Sequence, residues 1–143
     1  MNRFLLDTHS LIWFFEGDAQ LSFKARKIID DEENTKFISI VSAWEMTIKQ
    51  SKGKEFLDLG TTVDKYIKQK LVYQDFRLLT VELSHLKALS ELPFLKKHKD
   101  PFDRLLIAQA ISEKVTIIVI AQLTGNRESS GFKAARIDSK ADK

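Results

Sequence analysis

Three carboxylates stand where acids do chemistry in folded chains. Asp7 follows a short apolar run, Glu45 lies near the start of an amphipathic segment, and Asp103 falls inside DPFDRLLIAQA at residues 100–110. Acids gathered without partners repel one another and their pKa values rise unless a cation neutralises them. The chain has no cysteine, so a metal at such a cluster must take oxygen or imidazole ligands. A carboxylate set of this kind suits Mg2+ or Mn2+, which polarises a phosphodiester and lowers the pKa of an attacking water. Thr8, beside Asp7, offers a hydroxyl to orient that water or a carboxylate. Asp100 and Pro101 read first as a helix start, an N-cap followed by proline at the first helical position. Asp103 then sits in the first turn, where the helix dipole favours an anion.

Other polar residues are less specific. The run Lys96, Lys97, His98 and Lys99 immediately before Asp100 reads either as a solvated loop or as a contact for a nucleic-acid backbone. Arg104 is open to two readings, a phosphate ligand or a salt-bridge partner for a neighbouring acid. His9 reads as a loop residue and His85 as a residue on a helix face. Trp13 and Trp44 read as core, with Trp44 close enough to Glu45 to shape its pocket. A net charge of +3 and a pI near 9.1 suit a polyanionic partner without selecting one.

The elements that must position these residues are legible from periodicity. Strands are expected at 3–6, 37–41, 77–81 and 115–120, and helices at 11–15, 21–31, 61–72, 82–91 and 101–114. A further helix runs to about residue 52, with Ser42 and Glu45 forming an S-x-x-E capping box and Gly53 as its stop. Strands alternating with helices predict an α/β fold whose parallel sheet is covered on both faces. Ligand sites in such sheets lie at the carboxyl ends of the strands, and Asp7, Glu45 and Asp103 can share that edge. A length of 143 residues, 43% hydrophobic and 30% charged, predicts one globular domain over residues 1–143. Its last part, 121–143, is polar and lysine-rich and reads as loop or tail. Neither a membrane-length apolar run nor a signal peptide is visible, so a cytoplasmic protein is the expectation.

Together, LLDTHSLIW at 5–13, SAWEMTIK at 42–49 and HKDPFDRLLIAQA at 98–110 resemble a PIN-domain ribonuclease. The resemblance is closest to the VapC toxins of bacterial type II toxin–antitoxin pairs and covers about residues 3–120. It implies a three-layer α/β/α sandwich around a central parallel sheet, with acids in one groove and two copies paired as a homodimer. It also implies an endoribonuclease dependent on Mg2+ or Mn2+ that cuts tRNA or another structured RNA, with a small VapB-like antitoxin blocking the groove. Carried onto this chain, Asp7, Glu45 and Asp103 match the first, second and third family acids as catalytic and metal-binding residues. Thr8 matches the hydroxyl residue after the first acid. Asp100 matches an additional acid of this branch, a helix cap and outer support. Arg104, Lys96, Lys97 and Lys99 would steer the RNA.

The chain departs from the family at its end. Ala121 falls where a fourth acid is usual, and no aspartate occurs between Asp103 and Asp138. Losing one oxygen ligand weakens metal affinity without abolishing it, since water fills the place. The alternative is therefore a catalytically impaired PIN-fold protein acting through antitoxin or RNA binding. A phosphoacceptor signalling domain shares the strand-end aspartate, but expects an acidic pair before the first strand, where this chain has Asn2 and Arg3.

Overall fold

The computed structural model describes residues 2–93 and 100–119 in full and 136–138 by their backbone. Strand β1 (Arg3–Leu6) lies mid-sheet, with β2 (Thr35–Ser39) on one side and β4 (Thr116–Val119) on the other. The edges are β3 (Phe76–Leu79) and β5 (Arg136–Asp138), giving the order β3-β2-β1-β4-β5 with every neighbouring pair parallel. The expected α/β fold with a parallel sheet is thus what forms.

Successive residues of β1 feed opposite layers. Phe4 and Leu6 join Leu11 of α1 (Thr8–Glu16), Ala25 and Ile29 of α2 (Phe23–Asp30), and Tyr66 and Ile67 of α4 (Val63–Tyr73). Leu5 joins Leu106, Ile107 and Ala110 of α6 (Pro101–Glu113) on the other face. Because both faces are covered, the strand is apolar at consecutive positions rather than alternating. Helix α3 (Ile40–Ser51) contributes Val41 to the α6 side and Met46 to the α1 side, so it bridges the two layers. Helix α5 (Leu83–Glu91) lies along α6. Among the described residues, no helix is long and apolar enough to cross a membrane.

Three local expectations are corrected. Strand β2 ends at Ser39, whose side chain accepts from the Val41 N–H at 3.0 Å and caps α3. Ser42 is therefore a buried interior residue of α3 and not the cap, so the Ser42–Glu45 capping box does not form. The Ser39 hydroxyl also donates to Gln109 Oε1 on α6, while Ser42 Oγ is engaged by the Thr8 hydroxyl instead. Helix α1 begins at Thr8, three residues earlier than periodicity suggests, because Asp7 caps it. Residues 136–138 form β5 beside β4, pairing Val119 with Asp138, where loop or tail was expected. Ala121 and the rest of 121–143 apart from 136–138 lie outside the described residues, as do Lys96, Lys97, His98 and Lys99.

Candidate active site

Asp7 sits where β1 turns into α1. Its N–H donates to the Ile118 carbonyl of β4 at 3.0 Å, and its Oδ1 accepts from the Ser10 N–H at 2.8 Å. Ser10 Oγ donates to the same Ile118 carbonyl at 3.3 Å. The buried carboxylate is thus locked at the carboxyl ends of β1 and β4. Its capping duty and its place at the sheet's ligand-binding edge arise from the same turn.

Glu45, also buried, is reached from α1 and from its own helix. The Thr8 hydroxyl donates to Glu45 Oε1 at 2.7 Å and lies 3.1 Å from Ser42 Oγ. Lys49 Nζ lies 3.1 Å from Glu45 Oε2, one turn further along α3. Thr8 thereby ties the second acid to the residue adjoining the first.

Asp103 occupies the first turn of α6. Asp100 Oδ1 accepts from the N–H groups of Phe102 at 2.8 Å and Asp103 at 3.2 Å, so Asp100 performs its expected capping role. Burial pushes the Asp103 carboxyl up to about 7, aided by the charges of Asp100, Asp7 and Glu45, with Lys49 opposing. The helix dipole favours the anion there by only about 0.3–1 kcal/mol, too little to offset desolvation and three like charges. Acids from two other segments, Asp7 and Glu45, therefore act on the Asp103 carboxyl. This rise has a sign that can be checked. Raised above its unfolded value, the Asp103 carboxyl holds a proton that favours the fold at low pH, a contribution lost as pH climbs from about 4 through about 7. In metal-free protein, Asp103→Asn should gain stability relative to wild type across that interval, read by chemical denaturation at pH 4.5 and 7.5. A difference independent of pH would contradict the coupling.

The donor chemistry fits a hard divalent cation: carboxylate oxygens with mutual repulsion that a cation would relieve. Asp7, Glu45 and Asp103 are the residues that would hold it. Among the described residues, no three acids or histidines are arranged as a ready metal cage, and Glu45 has its oxygens on Thr8 and Lys49. Each of these oxygens keeps a second lone pair, so a cation there would share Glu45 with those contacts or displace one of them.

Other expected residues take different places. Arg104 is buried, and its guanidinium donates to the carbonyls of Pro93 at 3.0 Å and Leu92 at 3.5 Å. It anchors the chain entering 94–99, which corrects the expectation of an arginine open to RNA phosphate. His85 lies on helix α5 as expected, on the face that is fully buried. Its Nδ1 accepts from the Glu82 N–H at 2.9 Å, which leaves Nε2 to face Glu113 Oε1 at 2.8 Å. His9 lies in the first turn of α1, edge-on to Trp13. Trp44 is 58% exposed, not core, and packs edge-to-face on Phe102 with ring centroids 4.8 Å apart. Each ring is the immediate neighbour of a site acid, Glu45 or Asp103. A cavity of about 610 Å³ lined by Phe14, Lys36, Tyr73 and Phe76 opens at the opposite edge, where β2 and β3 begin.

Lys49 and Gln109 are the site-related residues that motif reading passes over. The glutamate–lysine spacing of four was visible in the sequence and pointed to the ion pair. Gln109 was visible as a polar residue inside a strongly apolar helix, a position that demands partners when buried. It finds them in Ser39 Oγ and, from its Nε2, the Thr80 carbonyl at 3.2 Å.

No curated protein matches this sequence. Among solved structures, the fold is similar to VapBC2 from Rickettsia felis bound to a DNA fragment from their promoter, at TM-score 0.64 and 14% identity over 96% of this chain and 99% of that one. DNA-bound VapBC from Salmonella typhimurium gives 0.64 and 13%, covering 96% and 98%. FitAcB from Neisseria gonorrhoeae gives 0.53 and 15%, covering 94% and 96%. The family model described as PIN domain matches residues 4–121, a span holding Asp7, Glu45 and Asp103 and ending at the position where a fourth acid was sought. This chain belongs to the PIN domain family.

Proposed function

We propose that the chain is a VapC-type toxin, an endoribonuclease dependent on Mg2+ or Mn2+ that cuts tRNA or another structured RNA. The observation that carries this reading is the placement of three acids in a PIN fold. Asp7 stands at the end of β1, Glu45 is tied to the neighbouring Thr8, and Asp103 lies in the capped first turn of α6 with its carboxyl raised by burial and by these acids. A bound divalent cation supplies charge neutralisation at the phosphodiester and a more acidic water. The chain's part is to hold that charge in place. Asp7 is fixed by the β1–α1 turn, Glu45 is oriented by the Thr8 hydroxyl, and Asp103 is presented by the capped start of α6. A small VapB-like antitoxin as partner is supported by the VapBC complexes among the similar structures. A homodimer is supported by apolar residues left exposed on α5, Leu83 and Leu86. Lys96, Lys97 and Lys99 adjoin the start of α6 in sequence and supply cationic contacts to the RNA backbone.

The Trp44–Phe102 pair offers an unpaired base an aromatic face beside the acids. Stacking on such a face is worth about 1–3 kcal/mol by alanine substitution. Trp44→Ala should therefore weaken RNA binding about tenfold or more, measured in a non-cleaving Asp7→Asn background. Unchanged affinity would remove Trp44 from the RNA surface.

Incubating purified protein with tRNA in MnCl2 or in EDTA tests the main reading, with cleavage expected only in the metal. Ala121, in place of a family acid, favours the second reading of an impaired protein. Intact RNA in both conditions, together with binding of RNA or antitoxin, would establish that reading instead.

A further inference from the structure

Glu45 is gripped from two sides, by the Thr8 hydroxyl at 2.7 Å and by Lys49 Nζ at 3.1 Å. Ion pairs of this spacing usually lie in water and contribute little. Here the glutamate side chain is 9% exposed and the lysine 30%, so water screens the pair far less. The reach of Lys49 extends beyond its own helix, because its charge also opposes that of the acids around Asp103 on α6. A cation held on one carboxylate of a proposed metal site and opposing the charge at another occupies the electrostatic role the metal would take.

We propose that Lys49 is the built-in counter-ion of the acidic cluster and competes with a divalent cation for Glu45. The inference rests on the metal site of the nuclease reading and adds a positioning residue to it. Tethered one turn from Glu45, the ammonium relieves repulsion among the acids before metal arrives. It also sets a threshold for occupancy. A monovalent cation brings no more charge than the ammonium already supplies, whereas a divalent ion brings twice as much and wins the exchange. Selection for divalent ions then follows from a residue that need not coordinate one.

The test is calorimetric titration of Mn2+ into the metal-free full chain, without RNA, for wild type, Lys49→Met and Lys49→Arg. Removing the competing charge should tighten Mn2+ binding about tenfold or more, since even bulk-water screening of a single charge a few ångströms away leaves an effect of that order. Lys49→Met should also melt at lower temperature without metal and gain more from Mn2+ than wild type does. Lys49→Arg, which keeps the charge, should behave as wild type. If Lys49→Met does not fold, Lys49→Gln removes the same charge and keeps a polar side chain. Wild type binding Mn2+ with Lys49→Met binding no more tightly would overturn the inference and leave the nuclease reading standing. No Mn2+ binding by wild type or variant would overturn both.

Discussion

Asp7→Asn is expected to slow RNA cleavage by about a thousandfold, the upper range for removing one preorganised electrostatic group. The same substitution should leave the fold almost untouched. Asparagine caps helices about as well as aspartate, and its carbonyl oxygen can still accept the Ser10 N–H that Asp7 Oδ1 accepts at 2.8 Å. The backbone N–H of residue 7 keeps its bond to the Ile118 carbonyl in either case. What changes is the charge at the carboxyl ends of β1 and β4. Cleavage rates in Mn2+, paired with thermal melts of the metal-free proteins, separate these effects. Cleavage equal to wild type would show that Asp7 is only a cap.

Gln109→Leu should have the largest effect on stability. Gln109 is fully buried and joins three elements: its Oε1 accepts from Ser39, the N-cap of α3, while its Nε2 donates to the Thr80 carbonyl after β3. Its Nε2 also lies 3.4 Å from His85 Nδ1, so the network continues through His85 to Glu113. Leucine fills nearly the same volume but leaves a hydroxyl and a carbonyl without their partner, costing about 3 kcal/mol. For a chain of this length that corresponds to a fall in melting temperature of about 10 °C. The site should suffer too. Ser39 begins the helix carrying Glu45, and Gln109 is on the helix carrying Asp103, so the network spaces two of the acids. A melting temperature unchanged within a degree would mean the network is dispensable.

The contrast between Ser39 and Ser42 shows how far local sequence reaches. Both serines are good caps, and the S-x-x-E pattern at Ser42 favours the later one. Ser39 is engaged by Gln109, seventy residues away, and Ser42 by Thr8, and no local pattern contains either contact. Strand existence was easier to read, because β1 and β4 are buried on both faces and therefore apolar at consecutive positions. Strand β5 was not legible, since its pairing with β4 supplies an order that its own residues do not signal. At the site, Asp7 and Asp103 were legible because strand ends and helix starts have strong local signatures. Arg104 was not, because a long side chain beside an acid reaches many partners, and here it turns to the carbonyls of Leu92 and Pro93. Trp44 reads as core because its neighbours in sequence are apolar. Its exposure follows from its place on α3, facing Phe102 at the rim of the site.

The claim on which the account turns is that Asp7, Glu45 and Asp103 form one divalent site. A Mn2+ titration followed by electron paramagnetic resonance tests it, using wild type, Asp7→Asn, Glu45→Gln, Asp103→Asn and the pairwise doubles. Residues sharing a ligand are coupled, so their effects on affinity should be non-additive. Each single variant should weaken Mn2+ binding, and each double should weaken it by less than the sum of its singles. Wild type without a bound Mn2+, or three single variants that bind it as wild type does, would contradict the account.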